Sequence, residues 1–591
     1  MAVNWTSVPV VTLDGAPVDP LIESLMIRVV VECSMHLPDE FELTFQDPNA
    51  LVVEEGGFIL GSEVAIGVLA AGEEPAPLTE GEITAIEYEV DVAGSLTIIR
   101  GLDRSHRLFR GKYVRTFQEM LASEIVAAIL AENEIPPGAI LPSDDLIEYI
   151  VQAGVTDWQF IQKLAMDCGY RAYMMDGFFN FAPIDPPVAG DVPGTYSINE
   201  PTQIVVPQGL TRLRAVLRTT EQVDDLVVMG WSPILGEPVV GDAPEDVLGA
   251  EIIPQPEELA AFAGAKIFSH LWFPTDDEDA AETKAEAMGN MLAESYVEID
   301  GEAVGDPALR PGVPISLDGA GAQFEGGYTL TSTKHVFDEE ANYSVQFRVS
   351  GWQDRTLFGL ASGGGSPASE PFRIPGVVSA TVVDVRDPEE QGRVQLLFEW
   401  MAGPEPALSD WTRCVHMGAG EAFGNLWVPE IGTEVLVAFE MGDPSRPVVI
   451  GGLYSAVIEP GASPELIDEA LGLVNERRIS SRFLHNITFY DAEEQSGIII
   501  QTGDEVAGIF LNAEEQVISI YNLDGGIEIS ATEIMLSADA DLSLEAGGEL
   551  SISAASVTIE GEGDVNINGA TVAIEGDGEM SLDAPIVTIN G

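Results

Sequence analysis

Residues 527–589 read IEISATEIMLSADADLSLEAGGELSISAASVTIEGEGDVNINGATVAIEGDGEMSLDAPIVTI. Apolar residues recur there as pairs around one intervening residue, and the pairs repeat every seven or eight positions. They are Ile527/Ile529, Ile534/Leu536, Leu542/Leu544, Leu550/Ile552, Val557/Ile559, Val565/Ile567, Val572/Ile574, Met580/Leu582 and Val587/Ile589. An apolar–x–apolar triplet sends both apolar side chains to one face of a short strand. The Gly and small polar residues between pairs let the chain turn. A unit this short cannot make a three-sided turn by itself. Several chains wound together need only one strand per unit, and each strand then pairs with a neighbour's. The expectation is an intertwined trimeric β-helix with these eighteen residues as its core, with a single-chain β-solenoid as the alternative. Nine repeats at one strand spacing each make a needle roughly 45 Å long.

Residues 483–591 contain no Lys or Arg but 21 Asp and Glu. The whole chain carries 98 acidic and 26 basic residues, a formal charge of −72, and only 5 of the basic residues are Lys. Such a field repels phosphate, so nucleic acid is not an expected partner. The charge fits either a high-salt host or a surface that must slide past others. A hydrophobic content of 46% is ample for folded cores, and 591 residues imply several domains. Cys33, Cys168 and Cys414 are odd in number and widely spaced, which suits neither a disulfide framework nor zinc. The segment Gly561–Asp564 vaguely resembles a calcium repeat, but it does not recur and the period is not nine. No cofactor and no metal are expected. The first residues lack a signal-peptide pattern, so synthesis as a soluble cytoplasmic protein is expected, with any export by another route.

Earlier in the chain, Leu25–Glu32, Phe41–Phe45, Ser62–Leu69, Glu82–Val90 and Leu96–Arg100 read as strands. Capping-box patterns at Thr116–Glu119, Thr156–Gln159 and Thr275–Glu278 predict three helices, running to about Glu132, Cys168 and Tyr296. Tyr170–Met175 and Phe178–Phe181 flank Asp176–Gly177 as a hairpin. Trp158, Trp411 and Trp427 read as core anchors.

Three blocks resemble the VgrG-type spike proteins of contractile injection machines. The first is His36–Asp39 with Phe41 and Asp47–Pro48, then Gly101–Leu108, Arg110–Gly111 and Arg115–Phe117. The second runs from Thr156–Trp158 to Gly169–Tyr170. The third comprises Asp387–Pro388, Gly392–Gln395, Trp411–Arg413, Pro429–Val435, Gly442–Pro444, Arg446–Pro447 and Gly451–Tyr454. The first block looks most like the spikes of extracellular phage-tail-like particles.

The resemblance implies a mainly β, multi-domain chain: β-barrel-like hub domains with a few helices, an OB-fold neck and the β-helix. The corresponding divisions are 1–115 (first hub domain), 116–200 (helix-containing insert), 201–360 (second hub domain with the long helix), 361–370 (Gly/Ser linker), 371–456 (neck), 457–482 (connector) and 483–591 (needle). The neck lacks the basic groove with stacking aromatics that nucleic-acid binding needs, so it reads as structural. The implied function is mechanical: a homotrimeric spike joining tube and baseplate to a membrane-piercing needle. The implied partners are the tail-tube ring, baseplate proteins, a PAAR-like tip protein docking at Ile586, Val587 and Ile589, and the target membrane. The implied location is an assembled injection particle, with release from the cell left open.

One further cluster stands out. Arg100, Arg104, Arg107, Arg110, Lys112 and Arg115 gather six basic residues in sixteen positions of an acidic chain. Arginine forks suit carboxylates at interfaces, so contacts between subunits are expected, against a solvated loop as the plain alternative. His106 inside the cluster has no nucleophile or carboxylate motif beside it and reads as structural. No catalytic residues are expected. A tail-associated cell-wall hydrolase and a β-solenoid adhesin are the competing readings.

Overall fold

The computed structural model describes residues 7–69, 74–92, 94–144, 146–175, 177–183, 202–206, 208–218, 223, 225–232, 237–243, 268–272, 275, 277–338, 342–351, 373–399, 407–461, 466–468, 470–492 and 495–588. The Gly/Ser linker expected at 361–370 lies outside them. The chain divides into two compact units, Met1–Pro460 and Gly461–Gly591.

The first unit is organised by an eleven-stranded sheet. All five strands expected in residues 25–100 form, as parts of Met26–Ser34, Glu40–Gln46, Glu63–Leu69, Ala76–Asp91 and Gly94–Asp103. Alternation places Val31, Leu43 and Ile99 in a dry layer with no exposed surface. The sheet does not stop at residue 115. Met26–Ser34 pairs antiparallel with Ser332–Asp338, which leads on to Asn342–Val349, Val297–Val304 and Leu210–Leu217. The two hub regions therefore share one sheet and one core, which runs from Val11 to Val349. Gly101 is required within it, because a Cβ there would lie 2.1 Å from the Phe41 ring.

The insert opens with Tyr113–Leu121 paired to Leu146–Val155. Here the sequence expectation needs correcting. Thr116–Glu119 is strand, not a capping box, and the helix is Ala122–Glu132. The aromatic and β-branched run Tyr113, Val114, Thr116 and Phe117 favours a strand, and the ladder to Leu146–Val155 secures it. Glu124 supplies the cap instead, accepting from Leu121 N at 2.9 Å. The second box forms as expected: Thr156 Oγ1 accepts from Gln159 N, and Gln159 Oε1 accepts from Thr156 N, both at 3.2 Å. It opens helix Asp157–Asp167. The expected hairpin follows as Tyr170–Met175 and Phe178–Pro183. The third helix starts later than its pattern suggests, at Glu278, and runs to Glu294. Asp277 caps it, accepting from Asp279 N at 3.2 Å; Asp is a better cap than Thr.

Two ties hold these parts together. Asp167 accepts from Lys163 and Lys284, each at 2.8 Å, and Arg171 pairs with Glu294. Helices Asp157–Asp167 and Glu278–Glu294 are thereby fastened to each other. The neck is a five-stranded sheet of Gln395–Leu397, Val377–Asp384, Glu434–Phe439, Pro447–Gly452 and Arg413–Cys414. Val151 and Ala153 of the insert enter its core beside Val382, Leu396 and Val435. Tyr149 Oη donates to Leu408 O at 2.7 Å, and Val151 N donates to Ser445 Oγ at 3.2 Å.

In the second unit, Glu476–Ser480, Asn486–Ala492, Gln495–Gln501, Ala507–Asn512 and Val517–Asn522 form an antiparallel meander. Its first strand falls inside the stretch expected to be a connector. Ile479 sits opposite Ile487 and Arg477 pairs with Asp491, so residues 476–480 belong to the sheet.

Candidate functional site

Beyond the meander, residues 523–588 contain no assigned strand. Among the described residues, none from 527 to 588 makes a hydrogen bond within the chain. The residues expected to form a needle core shared between copies are not buried within one chain. Ile527, Ile529, Ile534, Leu536, Leu542, Leu544, Leu550, Ile552, Val557, Ile559, Val565, Ile567, Val572, Ile574, Met580, Leu582 and Val587 are all exposed instead. Their exposure runs from 50% at Val572 to 70% at Ile529 and Ile559. The eighteenth, Ile589, lies outside the described residues. The physical reason is the length of the unit. Seven or eight residues supply one apolar pair and one turn, with no second strand of the same chain to lie across the pair. One chain therefore leaves the repeat's backbone groups and its whole apolar stripe without protein partners. Ile586, expected to dock a tip protein with Val587, is exposed as well.

The basic cluster is built on a 3-10 helix, Arg104–Phe109, capped by Asp103, whose Oδ1 accepts from Ser105 N at 2.8 Å. Three residues per turn places Arg104 and Arg107 on one side. Four of the six cations are engaged within the chain. Arg100 bridges Glu42 at 2.9 Å and Glu87 at 2.6 Å. Arg104 meets Glu63 at 2.5 Å. Arg107 meets Glu82, and also Glu134 at 3.1 Å. Arg115 meets Glu132, and the fully buried Asp157 at 2.5 Å. Asp157 also accepts from Gln152 and Asn133. Arg110 and Lys112 are exposed and have no ion pair among the described residues. His106 is buried against Glu82 at 3.1 Å, and burial pushes its pKa down.

Two features escaped the sequence reading. One is a pair of enclosed acids, Asp39 and Asp103, far apart in the chain. Asp103 N donates to Asp39 O at 2.9 Å, and Asp39 Oδ1 accepts from Ser34 N at 3.0 Å. Burial, then the nearby Asp103 charge, raises the Asp39 carboxyl to about 8; burial raises Asp103 to about 6. The other is an apolar surface on the neck. Trp427, expected in the core, is 53% exposed, near Met417, Phe423 and Leu426 in sequence, which are exposed too. The neck core is filled by Val394, Leu396 and Phe398 from its strands, and Trp427 lies outside the assigned strands. Among the described residues no group of three His, Cys, Asp or Glu is arranged to hold a metal. No described helix is long and apolar enough to cross a membrane.

A strand-rich hub, a small OB-fold neck and a repetitive C-terminal segment define a spike protein of the VgrG type. The chain belongs to the family of the Alg8 N-terminal domain, whose model matches residues 43–339. Residues 378–454 match the type VI secretion system/phage-baseplate injector OB domain. The type VI secretion system spike protein VgrG3 of Vibrio cholerae serotype O1 is 25% identical over 406 residues, 63% of this chain and 37% of that protein. The actin cross-linking toxin VgrG1 of Vibrio cholerae is 25% identical over 399 residues, 62% of this chain and 33% of the toxin. The chain thus spans only about a third of these relatives' length. A chain of the half-lidded Francisella PdpA-VgrG complex superposes with a TM-score of 0.51 at 9% identity, covering 87% of this chain and 88% of that one, which shows the fold.

Proposed function

We propose that three copies of this chain form the structural spike of a contractile injection machine, without enzymatic activity of their own. The observation that carries this reading is the repeat segment: one copy leaves its apolar pairs exposed and a long backbone unpaired. Backbone donors and acceptors in an apolar setting need partners, and other copies in the same register supply both partners and cover. Three strands per layer close a triangular core without edges. Exposed Trp427, Phe423 and Met417 on the neck fit the same need for neighbours.

In this role the hub engages the tube ring and baseplate, the needle concentrates force on a target membrane, and a PAAR-like protein docks at Ile586 and Val587. Arg110 and Lys112, the two cations of the cluster without an ion pair among the described residues, are the members offered to a neighbouring subunit. The test is sedimentation of the purified full chain. The expected mass is three times the 63.1 kDa of one chain. A monomer at micromolar concentration overturns the reading.

A further inference from the structure

The needle resists its own assembly electrostatically. Residues 527–589 hold thirteen Asp and Glu and no basic residue. Those among the described residues are exposed and make no ion pair. In a separate, extended chain these charges stand roughly 16 Å apart. In three intertwined copies, nine layers at one strand spacing carry 39 carboxylates, about one per 1.1 Å of axis. Duplex DNA carries one charge per about 1.7 Å and holds a condensed layer of cations for that reason. The assembled needle would exceed the charge density of DNA, while its separate strands fall far below it.

We propose that needle assembly takes up cations, so that ionic strength gates it: the rod forms in concentrated salt and loosens in dilute salt. The inference rests on the three-copy reading above. Two observations carry it together. Burying the exposed apolar pairs requires the copies to come together, and coming together concentrates one sign of charge. The cations gather as a mobile layer, as they do around other rods of this charge density. Counterion uptake reverses the sign familiar from protein–DNA binding. There, association releases ions and salt weakens it; here, association gathers ions and salt strengthens it.

The experiment is refolding of the full chain from urea, a non-ionic denaturant, across a NaCl series, with the trimer fraction read by sedimentation. An uptake of about six to ten cations raises the apparent association constant by about a thousandfold to a hundred-thousandfold between about 50 and 200 mM NaCl. A few millimolar MgCl2 should replace the NaCl, because divalent cations condense more strongly. A variant with Asp539→Asn, Asp541→Asn, Glu545→Gln, Glu549→Gln, Asp577→Asn and Glu579→Gln should assemble in dilute salt with a shallower dependence. A trimer that forms equally at every NaCl concentration overturns the inference and leaves the three-copy reading intact. A chain that never trimerises at any salt overturns both. Salt also strengthens apolar burial in general. If MgCl2 works only at the ionic strength NaCl requires, or the neutralised variant keeps the full slope, that general effect accounts for the result and the inference falls.

Discussion

Asp39 and Asp103 make the hub sensitive to pH in a direction opposite to most folded carboxylates. Asp39 is partly exposed as a residue, yet its carboxyl group is enclosed, with the Cys33 thiol, Arg310 and Asp103 as its charged or titratable neighbours. Its folded pKa, about 8, stands above the ordinary value of about 3.9. The neutral form is therefore the one that folding favours. That contribution is complete below the ordinary carboxylate pKa and is lost as pH rises through the folded one. For Asp103 the loss centres near pH 6, and for Asp39 near pH 8. Urea midpoints of the hub should therefore fall from pH 5 to pH 9, and Asp39→Asn should flatten the upper part of that fall. A variant profile parallel to wild type would show that the enclosed acid is already neutralised by its surroundings. Both acids fall in the first resemblance block, but nothing in the sequence marked them as an enclosed pair. Among 98 acidic residues, nothing local marks the few whose carboxyls are enclosed by strands from elsewhere. Arg104 and Arg107, by contrast, announce themselves through spacing, but spacing could not say that their partners lie in their own chain.

Among the elements, the helices show where local patterns suffice and where they are overruled. Thr156–Gln159 forms its box, whereas Thr116–Glu119 loses to a ladder with a strand about thirty residues downstream. A capping box satisfies a few backbone groups; a full ladder satisfies a whole strand's worth, so it wins. The join between helices Asp157–Asp167 and Glu278–Glu294 rests on Asp167, whose carboxyl Lys163 and Lys284 hold well below the usual range against the cost of burial. Lys284 is itself buried. Lys284→Met should cost about 3 kcal/mol, the scale of breaking a buried pair, seen as a lower urea midpoint. The penalty should shrink when pH drops far enough to protonate Asp167, because a depressed pKa gives stability that is lost on acidification. The neck makes a parallel case. Tyr149→Phe removes only the bond to Leu408 O and should cost about 1 kcal/mol. Because Val151 and Ala153 lie in the neck's own core, insert and neck should lose stability together in calorimetry, not as separate transitions.

For the whole chain, order along the sequence was more legible than closure in space. The repeat, the glycine-rich turns and the three blocks indicated hub, neck and needle in succession. They did not reveal that Met26–Ser34 pairs with Ser332–Asp338, some three hundred residues on, because period-2 alternation marks a strand's wet and dry faces but never its neighbour. The meander boundary was missed for a related reason: residues 476–480 are short and polar, and only pairing makes them a strand. The needle is where sequence and structure meet most directly, since its pattern calls for copies that a single chain lacks. This gives a separable prediction. Val557 and Ile559 are 54% and 70% exposed in one copy. As exposed sites, Val557→Asp with Ile559→Asp should change the stability of one chain by no more than about 0.5 kcal/mol each. In a shared dry core the same changes would bury six unpaired carboxylates, at several kcal/mol apiece. The double variant should therefore keep the wild-type hub transition while sedimenting as a monomer. If it sediments as wild type does, the pairs face solvent in the assembly as they do in one copy, and the needle cannot be an intertwined helix.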